Sequence, residues 1–334
     1  MRLPPAGPFL KKPLLQPSRL KMTTPQLPPL PEVERLSPGC IRILAGNPGK
    51  FTLQGTNTYL VGTSSARILI DTGEGRPSWI AALQRVLRDE RAAVAYTLIT
   101  HRHHDHTGGI PDLLRAWPGM RVYKHQPEEG QLELADGMQF RVEGASLRAV
   151  HTPGHTADHM SLHFLEENAL FTGDNVLGHG TSVFEDLATY VASLERMRHL
   201  FVSGDDDGTT TTITTSNTGR AYPGHGAVVE DGPGKIAEYI RHRGQREEQV
   251  VQTLRSGGAE VEAAAAAGVD GNGKGDAWTV MELVRSIYRD VPESLHPAAA
   301  GGVVQILQKL QREGRAVAVD DGERWRLASG RSAL

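Results

Sequence analysis

Short apolar runs alternate with amphipathic stretches along most of the chain, from about residue 33 to residue 254. The runs at 58–62 and 68–70 have the length of strands and predict a hairpin around the residues between them. Residues 77–88 and 187–201 carry apolar side chains at helical spacing, so each is expected to form a helix that packs on a core. This alternation predicts a layered α/β domain.

The pattern changes near residue 276. Thr279 and Glu282 have the spacing of a capping box, and an apolar helix face follows them. A second apolar helix face and a two-strand hairpin complete the segment, which predicts a small winged-helix-like unit. Lys309 and Arg312 lie on its second helix but are a weak basis for a phosphate-binding face. We expect this unit to pack on the main domain or to cover a substrate.

Composition divides the chain further. Residues 1–31 hold nine prolines and five Lys or Arg, which predicts a disordered tail rather than a targeting helix. The main domain is expected at 32–254, with a flexible, Thr-rich insertion at 203–219. The Ala- and Gly-rich residues 255–275 predict a linker to a terminal domain at 276–328.

Charge and cysteine content exclude several classes of protein. The net charge of −3 and the 5% of aromatic residues argue against a large surface for nucleic acid. Cys40 is the single cysteine, so neither an internal disulfide nor a cysteine-based zinc site is available. No apolar run approaches the roughly 20 residues of a membrane span. We expect a cytoplasmic location, with a mitochondrial one left open.

The strongest chemical signal lies at residues 100–109, where three histidines and an aspartate follow an apolar strand. His101, His103, Asp105 and His106 fall within six residues, directly before two glycines. A turn at a strand end can aim such side chains at one point. Imidazole and carboxylate ligands suit zinc and, less selectively, iron or manganese.

Three later segments repeat this arrangement. His155, Asp174 and His225 each end a short apolar run at a glycine-containing turn. Each motif alone is weak, because histidine after Pro-Gly is often only a turn residue. In this order the four motifs supply seven candidate ligands, which makes a metal centre the favoured interpretation.

The order and spacing of these motifs resemble the metallo-β-lactamase-fold hydrolases, whose His-x-His-x-Asp-His motif matches residues 101–106. The resemblance implies an αββα sandwich and two zinc ions per chain. It assigns the first ion to His101, His103 and His155. It assigns the second ion to Asp105, His106 and His225, with Asp174 bridging both.

The same resemblance gives roles to neighbouring residues. Asp71 is similar to the supporting aspartate of the fold, which would fix the 101–106 loop and a ligand histidine; alternatively it begins an ordinary turn. Arg102 and His104 occupy variable positions and are expected to face away from the ions. His159 and His179 either line the pocket or are turn residues, and His163 is expected to be structural or solvent-facing. Asn57 and Tyr59 are expected at the rim of the site or on an edge strand, together with Gly55.

The implied chemistry is hydrolysis. Two ions about 3.5–4 Å apart can bind a bridging water and lower its pKa toward neutrality, so that hydroxide attacks the substrate. Asp105 would bind the second ion and orient or shuttle the proton. This site alone does not choose between ester, thioester, lactam and phosphodiester.

Residues 47–61 resemble the β-lactamase-like-2 branch, which contains an endoribonuclease and fungal thioesterases that release aromatic polyketides. The segments 173–187, 123–127 and 158–160 are more similar to the thioesterases. The preferred hypothesis is therefore release of an acyl thioester from the acyl carrier protein of a non-reducing polyketide synthase. The alternative is a single-strand-specific endoribonuclease, the only hypothesis with a catalytic role for nucleic acid. A non-catalytic nucleic-acid-binding module conflicts with the complete ligand set.

Overall fold

The computed structural model describes residues 27–201, 219–266 and 277–328. The expected tail at 1–31 and the expected insertion at 203–219 lie almost wholly outside these ranges.

The first sheet has seven strands in chain order. Its first four strands pair antiparallel and its last four pair parallel, so the fourth strand belongs to both halves. The predicted hairpin is confirmed as β3 and β4. Three helices lie within this part of the chain. In order, the elements are β1 (Val33–Ser37), β2 (Cys40–Leu44), β3 (Asn57–Val61), β4 (Ala66–Ile70), α1 (Pro77–Asp89), β5 (Ala93–Ile99), α2 (His104–Thr107), α3 (Ile110–Ala116), β6 (Val122–Lys124) and β7 (Leu132–Glu133).

The second sheet has five strands, with β12 beside β11 and β8 at the opposite edge. Only the β11–β12 pair is parallel. Two helices follow strands of this sheet. The elements are β8 (Gln139–Val142), β9 (Ala145–His151), β10 (Met160–Phe164), β11 (Ala169–Gly173), α4 (Leu187–Leu200), β12 (Ala221–Pro223) and α5 (Gly232–Ala266).

The two sheets pack face to face between two helical layers. Alternate residues of β3 show the arrangement, since Tyr59 and Val61 join the core between the sheets while Leu60 packs outward with α1. Leu170 of β11 packs outward against α4 and α5. The predicted αββα sandwich is confirmed, and the helices predicted as α1 and α4 each bury an apolar face.

The terminal unit consists of β13 (Trp278–Thr279), α6 (Val280–Ile287), α7 (His296–Arg312), β14 (Ala316–Val319) and β15 (Arg324–Leu327). Thr279 and Glu282 form the predicted capping box. Leu283 and Leu307 of this unit join one apolar cluster with Val250 of α5. The unit therefore packs on the helical layer of the second sheet. This agrees with the expectation that it packs on the main domain.

The linker expected at 255–275 differs in the structure, because helix α5 continues to Ala266. Alanine has the highest helix propensity, and this stretch contains no proline to stop the helix. In the described part of the chain, neither this helix nor any other combines the length and apolar character that a membrane span requires. The cytoplasmic location stays a prediction.

Truncation of the shared apolar cluster should destabilise the protein. Leu307 is fully buried between the terminal unit and α5. We expect Leu307→Ala to lower the free energy of unfolding by about 2–5 kcal/mol, measured by urea denaturation. Leu114→Ala, the same change at an exposed position, is the control and should cost far less. Equal losses for both variants would contradict this packing.

Candidate metal centre

Four strand ends bring the seven candidate ligands to one place. His101, His103, His155 and Asp174 form one group, and Asp105, His106 and His225 form a second. Within each group one potential ligand atom per residue lies within 4.8 Å of all the others. Asp174 also joins the groups, because its Oδ2 lies 3.2 Å from His225 Nε2 and 3.6 Å from His155 Nε2.

Hydrogen bonds in the first group fix which ring nitrogens carry protons. Thr100 donates its hydroxyl proton to Asp71, so it must accept from Nδ1 of His101 at 3.0 Å. His155 donates from Nδ1 to the carbonyl of Val183 at 2.8 Å. The Nε2 atoms of both rings are therefore lone-pair acceptors in the neutral forms.

Both of these Nε2 atoms lie 3.0 Å from Nδ1 of His103. A single proton on that nitrogen can satisfy only one of them. Burial lowers the pKa of His101 and of His103, with neighbouring histidines adding to the effect, so protonation of the rings is disfavoured. The first group thus concentrates lone pairs that a bound cation would satisfy.

The second group combines histidines with carboxylates. Burial lowers the pKa of His225, but Asp174 and Asp105 outweigh burial and raise that pKa to about 9. Burial likewise opposes protonation of His106, while Asp174 and Asp71 raise its pKa well above the usual value. The negative potential at this position therefore favours a positive charge.

Two buried atoms that face each other at the centre lack hydrogen bonds among the described residues. They are His106 Nε2 and Asp174 Oδ1, both buried and 3.4 Å apart. Buried polar atoms normally have partners, so such a pair of atoms requires an explanation. Imidazole and carboxylate atoms in this arrangement fit a zinc-type donor set.

Asp71 supports the centre from beneath. Its carboxylate accepts hydrogen bonds from the backbone N–H of Thr100 at 2.8 Å and from Nδ1 of His106 at 2.7 Å. The first bond fixes the start of the 101–106 loop, and the second turns His106 Nε2 toward Asp174. The role predicted for Asp71 is confirmed, and a mere turn-forming role is excluded.

The variable positions of the motif face outward, as expected. His104 and Arg102 are exposed. Arg102 forms an ion pair with Glu185, and its Nη1 lies 3.7 Å from Asp158. His179 is also exposed and belongs to neither ligand group.

His159 lies buried below the ligands rather than in an open pocket. Its Nε2 accepts a hydrogen bond from the backbone N–H of Asp174 at 3.1 Å, and its Nδ1 lies 3.0 Å from Thr152 Oγ1. Burial lowers the pKa of His159 to about 3, so this ring is neutral and positions Asp174. His163 is buried in β10, which supports its structural alternative.

The expectation for Asn57 and Tyr59 was wrong in both of its forms. They lie on β3, which pairs with β2 and β4 and is an interior strand. Both side chains are buried and donate to the backbone carbonyl of Pro223, two residues before His225. The rim was predicted from the polar character of these side chains. Their hydrogen bonds to the loop after β12 satisfy their polar groups, so they can be buried.

Sequence reasoning missed Thr56 and Asn47. Thr56 Oγ1 donates to Asp105 Oδ2 at 3.3 Å, and Asn47 Nδ2 donates to Thr56 Oγ1 at 3.0 Å. Both residues are buried. A polar pair flanking a glycine-rich turn was the available signal, but loop residues of this kind are common.

Comparison with known proteins agrees with this architecture. The chain matches the family described as "Metallo-beta-lactamase superfamily" over residues 51–142 and 123–225. Residues 279–325 match "Beta-lactamase associated winged helix domain". The chain is 46% identical to "Lactamase-like protein aptB" of Emericella nidulans, covering 91% of this chain and 92% of that protein.

Two further relatives have more specific names. The "Atrochrysone carboxyl ACP thioesterase" of Aspergillus chevalieri is 45% identical, with 85% of each chain covered. The "Atrochrysone carboxyl ACP thioesterase dmxR1" of a Cryptosporiopsis species is 43% identical, covering 86% of this chain and 84% of that protein.

Solved structures share the fold. A metallo-beta-lactamase family protein of Thermus thermophilus aligns with a TM-score of 0.60 and 22% identity, covering 88% of this chain and all of that one. A beta-lactamase domain protein of Burkholderia ambifaria aligns with a TM-score of 0.66 and 17% identity, covering 89% and 93%.

Asp71→Asn should disturb the centre without a change of size. Asp71 has a left-handed backbone, φ +58°, which asparagine also tolerates, so the turn should survive. Loss of the carboxylate removes the acceptor that orients His106. We expect zinc affinity to fall about 10–100-fold, measured by competition with a chelating dye. Asp112→Asn, at a site paired with Arg115 on α3, is the control. Unchanged affinity in Asp71→Asn would exclude this role.

Proposed function

The chain belongs to the metallo-β-lactamase superfamily, and from this premise we propose that it is a dinuclear zinc hydrolase that cleaves acyl carrier protein thioesters. The proposal rests on one observation above all. Seven buried or half-buried imidazole and carboxylate groups from four strand ends converge in two adjoining sets.

The ligand roles follow from those sets. His101, His103 and His155 would hold one ion, and the other set, Asp105, His106 and His225, would hold the second. Asp174 touches both sets and would bridge them. When bound, the ions supply Lewis acidity that polarises a carbonyl and acidifies a water molecule.

Asp105 is suited to handle the proton of that water. Its burial raises the pKa of the carboxyl group, but His225 and His106 outweigh this and lower the pKa to about 2. Asp105 is therefore a carboxylate at neutral pH and can accept a hydrogen bond from water. Its side chain is 24% exposed, more than that of Asp174, so it is the acid nearer to an incoming substrate.

A thioester matches this machinery because the leaving group needs little assistance. Water adds to the acyl carbon, the C–S bond breaks, and the products are a carboxylic acid and the thiol of the carrier. A thiol has a pKa near 8.5, so it departs as thiolate without a strong general acid. The site needs only to deliver water and stabilise charge on the carbonyl oxygen.

Exposed apolar side chains beside the centre support an apolar acyl group. Val183, whose carbonyl orients His155, is 64% exposed. Phe51 is 72% exposed and lies in the loop that ends at Thr56, a contact of Asp105. The names of the thioesterase relatives support an acyl group bound to an acyl carrier protein. An aromatic polyketide as the acyl group and a polyketide synthase as the partner are what the sequence resemblance implies.

The two basic residues considered for phosphate binding do not support the endoribonuclease alternative. Lys309, the basic residue considered for phosphate, lies 2.8 Å from Glu247 and also pairs with Glu313. Arg312 pairs with Asp186 at 2.6 Å. These cations hold the terminal unit to the main domain, so they do not form a free phosphate-binding face.

The function can be tested by assaying both substrates with one metal-analysed preparation. We expect zinc-loaded protein to release acid from an aromatic acyl thioester on a carrier protein and to leave single-stranded RNA intact. Liquid chromatography of the acid and gel analysis of the RNA give the two readouts. Cleavage of RNA without thioester hydrolysis would replace this function with the alternative.

Loss of either ion set should stop the reaction. His103→Ala and Asp105→Ala are each expected to lower kcat by about 100-fold or more, because each removes a ligand and the latter also removes the proton acceptor. His104→Ala changes the exposed neighbour and should retain activity. Chelation should abolish wild-type activity and added zinc should restore it. A chelation-resistant activity would contradict the metal-dependent mechanism.

A further inference from the structure

Residues 47–59 contain a polar motif that the reaction scheme leaves without a role. Within it, Thr56 and Asn57 are 0% and 1% exposed. Neither belongs to the two ligand sets. Burial of a polar side chain costs free energy unless its polar atoms form hydrogen bonds, so the partners of these two residues indicate their role.

Asn57 holds the loop that carries His225 from three directions. Its Nδ2 donates to the carbonyl of Pro223 at 2.8 Å and to that of Gly226 at 2.9 Å, on either side of His225. Its backbone N–H donates to the carbonyl of Gly224 at 2.7 Å. The amide side chain therefore spans the whole turn and fixes the path of its backbone.

Thr56 contacts two of the ligands of this half of the centre, His225 and Asp105. Its backbone pairs with that of His225 as an isolated antiparallel bridge. Its Oγ1 accepts from Asn47 Nδ2 at 3.0 Å, so the hydroxyl proton is available to Asp105 Oδ2, 3.3 Å away. The hydroxyl thus restrains one ligand while the backbone restrains another.

His225 differs from the other ligand histidines in how its ring is held. His101, His106 and His155 are each oriented by a hydrogen bond from Nδ1. Among the described residues, Nδ1 of His225 is buried without a hydrogen-bond partner. Nε2 of this ring lies 3.2 Å from Asp105 and from Asp174, which are themselves candidate ligands. The restraint from outside the ligand sets therefore acts on its backbone, through Thr56 and Asn57.

We propose that Thr56 and Asn57 are positioning residues that determine the affinity of the second ion position, formed by Asp105, His106 and His225. They leave the first position, formed by His101, His103 and His155, largely unaffected. The inference rests on the proposed two-ion centre. It adds that occupancy of the two positions is controlled by different parts of the chain.

The test uses Thr56→Val, which keeps the shape of the side chain and removes its hydroxyl, and Thr56→Ser, which keeps the hydroxyl. Thr58→Val is the matched control, because the Thr58 hydroxyl is equally buried but contacts Ile43 and Trp79 instead of the ligands. Metal-free full-length protein is titrated with Co²⁺, followed by its visible absorption bands and by metal bound per chain.

We expect Thr58→Val to bind each of the two ions with the same affinity as the wild type. Thr56→Val should bind the second ion about 10–100-fold more weakly while the first binds normally. Thr56→Ser should recover most of the second affinity. Asn57→Ser, which shortens the side chain that spans the turn, should weaken the same step and provides a second measurement if Thr56→Val does not fold.

The outcomes separate this inference from the proposed function. If the wild type binds two ions in two steps, and the affinities of both steps are unchanged in Thr56→Val and Asn57→Ser, the inference is overturned while the proposed function stands. Equal weakening of both steps, or failure of Thr56→Ser to recover the second step, would also overturn it. A wild-type protein that binds a single ion would instead reject the two-ion centre on which it rests.

Discussion

The concentration of imidazole nitrogens and carboxylates where strands of the two sheets end is the constraint on which the rest of this structure depends. In a buried setting such groups repel one another or remain unsatisfied, and both situations cost free energy. The surrounding residues make the arrangement rigid: Asp71 holds His106, Val183 holds His155, and His159 holds the backbone of Asp174. The protein thereby maintains a cluster that a cation stabilises and that a relaxed chain would disperse.

The second sheet contributes to this rigidity through backbone contacts. The N–H of Met160 donates to the carbonyl of Thr100, which joins the end of β5 to β10 across the sandwich. Gly224 donates to Gly173 and brings the loop after β12 beside the end of β11. A Cβ on Gly224 would lie 2.3 Å from Asp174 Oδ1, so only glycine permits this approach. The glycines around the ligands are therefore part of the site.

Much of the fold and of the site could be predicted from the sequence. His101 through His106 stand out because ligand side chains cluster where an apolar strand ends, and α1, α4 and the capping box at Thr279 have clear periodic or capping signals. Strands β6 and β7 were not predicted, because three and two residues are too short to show alternation. Helix α5 extended into the expected linker because Ala-rich sequence supports a helix without an apolar stripe. Thr56 and Asn57 were missed or misplaced, since hydrogen bonding between residues about 50 and 169 positions apart leaves no local pattern.

The order of the ligands along the chain has a consequence for biosynthesis. His101, His103, His155 and Asp174 all precede α4, whereas His225 follows it. A growing polypeptide therefore exposes every donor of one set well before the other set is complete. The last imidazole arrives only when β12 has been translated, and its loop must then dock against a strand made more than 160 residues earlier. The complete set of seven donors is thus assembled only after both halves of the sandwich have been synthesised.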